Sequence, residues 1–204
     1  MKKLSIGILW VLLSAAGPCV QAADSALAPA DLRCEYTRNP LGVDTLKPRL
    51  SWKLETSAPA PRGQKQSAYR LLVASSLEIL RQNQGDLWDS GRVASDQSQQ
   101  VAYEGNPLHS AQQLFWKVQV WDQAGGASRW SDPAQWTMGL LKPEDWRAQW
   151  ITAEPFVEAG GTNRSLPLFR RAFAVSQPLR RAVVFVCGLG FYELHLNGRG
   201  WATR

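Results

Sequence analysis

The chain alternates apolar and polar residues without interruption along residues 49–55 (RLSWKLE). In an extended backbone, Leu50, Trp52 and Leu54 lie on one face, and the charged or hydroxylated residues between them lie on the other. This period of two is typical of a strand that has one face in a core and the other in solvent. The segment therefore predicts an antiparallel β fold.

The same alternation returns on both sides of short turn-forming stretches. It is strongest in residues 68–74 (AYRLLVA) and 114–121 (LFWKVQVW), and shorter strand signals lie at 87–91, 100–103 and 129–136. About seven short strands within about 110 residues, separated by turn residues, are typical of an immunoglobulin-like or fibronectin type III-like β-sandwich. We expect this sandwich over residues 31–139.

One short helix interrupts the strands. Ser75 and Glu78 have the spacing of a capping box, which predicts a helix over residues 77–82 that is ended by Gly85. The rest of the first domain offers no run long enough for a second substantial helix.

After residue 139 the pattern changes. Residues 140–152 carry Trp146 and Trp150 and are predicted to link two domains, and a second β unit is predicted from residue 153 to 204. Its strands are expected at 168–175, 182–186 and 191–196, and the last is followed by Asn197-Gly198, a strong hairpin signal. Few residues remain for a returning strand, so this second domain is expected to be truncated.

The N-terminus has the features of a signal peptide. Lys2 and Lys3 precede an apolar run at residues 4–16, and small residues follow at 20–23, so a leader is predicted over residues 1–22. The apolar run is too short for a bilayer span, and the residues before Cys19 match a lipoprotein signal poorly. We expect a periplasmic or secreted protein with no membrane association after cleavage, in which residues 23–30 form a linker.

The charge distribution argues against a nucleic-acid-binding protein, and the positions of the cysteines argue against a disulfide bond. Loss of Lys2 and Lys3 lowers the formal net charge from +6 to +4, because 21 basic and 17 acidic residues remain. The dense basic pairs, at 170–171 and 180–181, flank one turn, so no nucleic-acid partner is expected. Cys34 and Cys187 fall in different predicted domains and are expected to be separate thiols.

We find no pattern of catalytic, cofactor-binding or metal-ligating residues. A Gly-rich phosphate loop is missing, and His109 and His195 have no clustered ligands. Glu193 lies on the polar side of its strand. Most other acids neighbour turn residues, where a solvent-exposed structural role is usual; examples are Asp89, Asp122, Asp132, Glu144 and Asp145.

The aromatic residues divide into two groups. Trp52 and Trp116 occupy inward positions and are predicted to pack in the core. Phe115 and Trp121 occupy the opposite face of their strand, where they could contact another domain or a ligand.

Several of these segments, in this order, resemble the N-terminal module of bacterial α-L-rhamnosidases. They are residues 46–52 (LKPRLSW), 66–74, 87–91 (LWDSG), 115–122, 130–131, 136–139, 146–151 and 188–198. The last resembles the start of that family's second domain, a jelly roll, so the resemblance implies a sandwich followed by an incomplete jelly roll.

The resemblance also implies a function. Members of the family are large exported glycoside hydrolases that remove terminal α-L-rhamnose by an inverting mechanism, with their carboxylates in an α-helical barrel downstream of these β modules. No part of that barrel is present in the sequence, so no catalytic residue is carried over. The chain is expected to have no activity alone, and rhamnose-containing glycans are its expected partners.

Two alternatives remain open. The chain could be a stand-alone carbohydrate-binding or adhesion module that stacks sugars on Trp121, Trp130 or Trp201, or it could be a structural spacer without a ligand.

Overall fold

The computed structural model describes residues 25–56, 62–152 and 167–201. The predicted leader and residues 153–166 of the predicted second domain lie outside the described residues. The chain divides into two compact units, one ending at Pro143 and one beginning at Glu144. The boundaries expected at residues 139, 140 and 152 stay predictions.

The first unit contains two antiparallel sheets. One has the strand order β1-β2-β5, and the other has the order β4-β3-β6-β7. The strands are β1 (Leu27–Cys34), β2 (Arg49–Thr56), β3 (Gln66–Ala74), β4 (Trp88–Asp89), β5 (Val101–Ala102), β6 (Gln113–Asp122) and β7 (Ala134–Thr137).

The predicted inward residues form the core between these sheets. Leu71, Val73, Trp116 and Val118 are fully buried, and Trp52 is 2% exposed. Aromatic rings meet edge to face, with centroids 5.3 Å apart for Trp52 and Tyr69, 5.3 Å for Trp88 and Tyr103, and 6.0 Å for Tyr103 and Trp136. The prediction of an all-β sandwich is confirmed.

Strand β1 corrects the prediction that residues 23–30 are a linker. Leu27 pairs with Thr56 and Ala30 pairs with Lys53, so the second half of that stretch is part of the sheet. The sequence pattern did not indicate this strand, because Ala and Pro are both rare in strands. β1 tolerates Pro29 because it is an edge strand, where an outward backbone position needs no N–H donor.

Helix α1 (Leu77–Arg81) is present, but its expected cap and end are both wrong. Ser76, not Ser75, is the N-cap, since its Oγ accepts a hydrogen bond from Ile79 N at 3.3 Å. Ser75 is occupied elsewhere, because its N and Oγ donate to the Asp86 carboxylate at 2.9 and 2.6 Å. The helix ends before Asn83, which adopts a left-handed φ of 58°.

Gly85 has a different role from the predicted helix stop. A Cβ at this position would lie 2.2 Å from the Trp88 carbonyl oxygen and 3.2 Å from Val73 N. The turn into β4 therefore passes too close to the backbone of its neighbours for any larger residue.

The described residues of the second unit have little regular structure. A 3₁₀ turn, Pro143–Asp145, spans the division between the units, and the hairpin of β8 (Leu194–Leu196) and β9 (Arg199–Trp201) follows later. Asn197 and Gly198 join these strands with φ values of 51° and 77°, the two left-handed positions of a type I′ turn, which confirms the hairpin prediction.

The strands predicted at residues 168–175 and 182–186 do not form. These residues make no strand pairing within the described part of the chain, and most of their apolar side chains are exposed. Alternation supplies an apolar face, but a strand also needs a neighbouring strand for its backbone hydrogen bonds.

Candidate functional site

The first unit has a surface cleft of about 390 Å³, and residues of the edge strands β4 and β5 form part of its wall. Aromatic and polar side chains line it, and none of its lining residues is Lys, Arg or His. The lining residues are Tyr69, Trp88, Ser90, Val93, Gln97, Gln100, Val101, Ala102 and Glu104. Their composition suits an uncharged polar ligand.

Gln100 is the most unusual residue of this cleft. Its φ of 57° lies in the left-handed region, which residues with a Cβ adopt at a cost of about 1–3 kcal/mol. Its side-chain Oε1 is buried and has no hydrogen-bond partner among the described residues. An unpaired buried acceptor costs about 1–3 kcal/mol, so one residue carries two unfavourable features.

The core holds the loop before Gln100 in place. Gln66 is 3% exposed, and its Nε2 donates to the carbonyls of Ser95 and Gln97 at 3.0 and 2.9 Å. Its Oε1 accepts from Trp52 Nε1 at 3.0 Å, and Gln100 N donates to Ser51 Oγ at 3.0 Å. These bonds tie the loop to β3 of one sheet and β2 of the other, which explains how the strained backbone persists.

Tyr69 also lines the cleft and carries a hydroxyl. Burial raises the pKa of this phenol, and the charge of Glu104 adds to the increase, so the group stays protonated at neutral pH. The hydroxyl donates no hydrogen bond to any described residue. Ser90 differs, because its Oγ donates to Gly91 O and accepts from Leu71 N, both at 2.8 Å.

Two of the three aromatic residues proposed for sugar stacking contact cations. The Arg92 guanidinium lies 4.8 Å from the Trp121 ring centre, and Lys117 Nζ lies 4.9 Å from that of Trp130. These cations cover one ring face each. Trp201, on β9, is 59% exposed.

Phe115 was predicted to be available to another domain or ligand, and this prediction is wrong. It packs against a small second core of Leu72, Ala74 and Leu80. The outer face of this sheet is partly covered by helix α1, which the alternation of β6 alone does not reveal.

Three carboxylates of the first unit, Asp31, Glu35 and Asp89, are paired with cations. Arg70 makes two bonds to Asp89, at 2.9 and 2.6 Å, and Arg49 Nη2 lies 2.7 Å from Glu35 Oε2. These bonds lower the pKa of Asp89 and of Glu35. Hydrogen bonds from Lys53, and then from Arg33 and Arg38, hold the Asp31 pKa well below its usual range. Every carboxyl group with a resolved shift is thus stabilised in its charged form.

The turn role expected of Asp89 and Asp122 is confirmed, but the solvent exposure expected of Asp122 is wrong, since it is 8% exposed. Asp89 Oδ1 accepts from Gly91 N at 3.0 Å, and Asp122 Oδ1 accepts from Gly126 N at 2.9 Å. His195 lies 3.2 Å from Glu193. Within the described ranges, no cluster of three potential metal ligands occurs, and no helix is long and apolar enough to cross a bilayer.

Cys34 and Cys187 are separate free thiols, as expected. Cys34 is buried, and burial raises its pKa to about 12, so it is an unreactive core thiol. Cys187 is exposed.

The sandwich and its connections define an immunoglobulin-like domain, and comparison with known proteins makes the assignment narrower. Residues 29–142 match the family model described as the Rha78A-like, N-terminal immunoglobulin domain. The chain belongs to this family.

Curated relatives agree with the family match. An α-L-rhamnosidase of Streptomyces avermitilis is 47% identical over 136 residues, which is 66% of this chain and 13% of the relative. One from Formosa agariphila is 36% identical over 180 residues, which is 78% of this chain and 18% of the relative. The chain therefore spans less than a fifth of the length of these relatives.

Solved structures are also similar. The α-L-rhamnosidase from Dictyoglumus thermophilum has a TM-score of 0.60 and 40% identity, over 66% of this chain and 15% of its own. The Streptomyces avermitilis enzyme, crystallised with L-rhamnose, has a TM-score of 0.61 and 47% identity, over 66% of this chain and 13% of its own.

Sequence reasoning missed Gln100. It was placed at the first position of a strand, where nothing marks it, since its importance lies in a backbone angle and an unpaired atom. Gln66 lies just before the strand predicted at residues 68–74 and enters only with segment 66–74 of the family resemblance, although it supports the cleft.

Proposed function

We propose that this chain acts as the non-catalytic N-terminal β module of an exported α-L-rhamnosidase-like glycoside hydrolase. The match of residues 29–142 to an N-terminal domain family carries the proposal. The alignments support it, because the similar part is 13–18% of each α-L-rhamnosidase. The proposed partners are rhamnose-containing glycans and the remainder of such an enzyme.

The chemistry of the described residues supports a non-catalytic role. Inverting hydrolysis needs a carboxylic acid that remains protonated and a carboxylate base, about 6.5–9.5 Å apart. The pKa values of Asp31, Glu35 and Asp89 are all lowered by cations, which favours the charged form and opposes a role as acid.

Rhamnose release tests this role. We expect the purified chain to release no rhamnose from an aryl α-L-rhamnoside above the rate of a buffer blank. A Trp52→Asp variant, which should unfold the sandwich, serves as the matched control. Release in proportion to wild-type protein that disappears in this variant would place a catalytic site in the chain and refute the proposal.

Export is the second part of the proposal. The basic start, apolar run and small residues of the first 23 positions support cleavage near Ala22. We expect the mass of material from the periplasm or medium to correspond to a chain that starts near Ala23. Recovery with Met1 intact in a membrane fraction would contradict this expectation.

A stand-alone carbohydrate-binding module is a second candidate, and the cleft at Gln100 favours it. The DNA that follows the codon for Arg204 separates the two. Sequence encoding a catalytic barrel supports the enzyme module, and an intergenic region supports the independent module.

A further inference from the structure

We propose that the cleft at β4 and β5 is a non-catalytic binding site for a neutral sugar, in which Gln100 Oε1 accepts a hydrogen bond from a sugar hydroxyl. This deepens the proposed function and rests on its glycan partner, because it names the residues at which the module would bind a sugar. It also differs from stacking on Trp121, Trp130 or Trp201, because none of these residues lines the cleft.

Gln100 provides the first argument. Its left-handed backbone and its buried, unpartnered Oε1 are independent unfavourable features, and both occur at the wall of the same cleft. Strained residues and unsatisfied polar atoms concentrate at binding sites, where a ligand supplies the missing partner. Because Oε1 is buried, a hydroxyl donor in the cleft would satisfy this oxygen after a rotation of the Gln100 side chain, which lines the cleft wall.

Charge narrows the chemical class of the ligand. With no cation among the lining residues, an anion would have no counter-charge, and Glu104 would repel it. A divalent cation is also disfavoured, because Glu104 is exposed and is the single carboxylate of the lining. A neutral ligand avoids both problems.

The remaining groups are complementary to sugar hydroxyls and C–H faces. Tyr69 offers a protonated hydroxyl with no described acceptor, and Gln97 and Glu104 add polar atoms at the exposed side. Trp88 contributes partly exposed aromatic surface. The volume of about 390 Å³ falls within the range of about 300–1,000 Å³ that is usual for small-molecule sites.

An added peptide strand is the main competing ligand. The strands that border the cleft, β4 and β5, are each two residues long, so they offer an extended peptide a short ladder. The arrangement favours a compact ligand over a strand.

The experiment uses the full chain labelled with ¹⁵N and titrated with methyl α-L-rhamnopyranoside, methyl α-D-glucopyranoside or a strand-forming peptide. We expect a glycoside at about 10 mM, well above a millimolar dissociation constant, to shift the amide signals of Tyr69, Val101 and Ala102. If no glycoside shifts these signals, or if the peptide alone does, the proposal is wrong.

Gln100→Gly tests the named residue. Glycine removes the carboxamide and adopts a positive φ without strain, so affinity should fall at least tenfold while the melting temperature stays equal or rises. Gln123→Gly is the matched control, an exposed glutamine that does not line the cleft, and it should bind like the wild type. Unchanged binding by Gln100→Gly would overturn the proposal.

Tyr69→Phe provides a conservative second variant. It removes one hydroxyl and keeps the ring that packs against Trp52. We expect a threefold or greater loss of affinity with the fold retained, and equal affinity would exclude Tyr69 from the site. These measurements are independent of rhamnose release, so failure here leaves the proposed enzyme-module role untouched.

Discussion

Strand β6 and residues 168–186 share one chemical pattern and have different structures. In β6, Trp116, Val118 and Val120 lie on one face and are fully buried, while Phe115, Gln119 and Trp121 on the other face are partly exposed. In the second unit, Phe173 and Val175 are two residues apart, as in such an alternation, but are 70% and 56% exposed. The difference is pairing, because β6 lies between β3 and β7, whereas these residues have no strand partner within the described ranges.

The comparison shows that an apolar stripe in the sequence does not by itself produce a paired strand. Burial of apolar surface stabilises by about 25 cal/mol per Å², but only where another sheet or helix covers the stripe. A two-stranded hairpin such as β8 and β9 is marginal by itself. The first unit thus contains a complete sandwich, while the described part of the second unit contains one hairpin.

The largest expected effect is that of Trp52→Asp. This change removes the contact with Tyr69 and the bond to Gln66, and it places a carboxylate in the core. Loss of a buried Trp costs about 3–5 kcal/mol, and an unpaired buried charge adds more, so the first unit should unfold. Loss of the near-ultraviolet circular dichroism signal would show this.

Trp201→Asp is the matched change in the second unit. Trp201 is largely exposed, and we expect the melting transition of the sandwich to change by less than about 0.5 kcal/mol. Equal destabilisation by the two variants would contradict the distinction between the units.

A smaller effect is expected for a methyl group added at two glycines. Gly85→Ala would place its Cβ against the backbone of Trp88, so the turn must shift at a cost of about 1–3 kcal/mol. At Gly190 a Cβ would meet nothing within 4 Å, so Gly190→Ala should change stability by less than about 0.5 kcal/mol. Chemical denaturation of both variants measures the contrast, and a silent Gly85→Ala would refute the close approach.

The smallest effect concerns charge and depends on pH. Asp31 contacts Lys53 Nζ at 2.8 Å and Arg33 Nη2 at 3.0 Å, and the Asp31 pKa lies below its usual value of 3.8. A lowered carboxyl pKa stabilises the fold above the unfolded-state pKa, and this stabilisation is lost as pH falls through the folded-state pKa. Asp31→Asn should therefore lower the melting temperature at pH 7.

That difference from wild type should narrow as the pH falls below about 4, where the carboxylate begins to be protonated in the unfolded chain. Glu193→Gln is the control in the second unit, since its contact with His195 is exposed. It should leave the sandwich transition unchanged at every pH. A gap between Asp31→Asn and wild type that widens in acid would show that the sign of the linkage is wrong.

Much of the fold could be read from local pattern. The alternation of apolar and polar residues predicted β2, β3 and β6. Asn197-Gly198 predicted the turn between β8 and β9, which are the strands that the described part of the second unit contains. Strand β1 could not be found in this way, because its alanines and Pro29 have low strand propensity and are held by pairing with β2. Tertiary pairing outweighed local preference there.

The cap of α1 shows the same limit at a smaller scale. Ser75 and Ser76 are adjacent and both are good N-caps, so the sequence offers two starts. The choice depends on Asp86, which binds Ser75 and leaves Ser76 to accept from Ile79. The N-cap can therefore be predicted only when it is known that Asp86 lies beside the start of the helix.

Local alternation predicted the sandwich of the first unit and the inward positions of its aromatic residues, because a period of two is a property of neighbouring residues. The order of its motifs indicated the family. The tertiary structure alone decided which apolar stripes are buried, that Arg92 and Lys117 cover Trp121 and Trp130, and that Gln100 lines a cleft with its Oε1 unpaired. Each of these features depends on contacts between segments that are far apart in the chain. A local sequence pattern does not indicate which distant segments will meet.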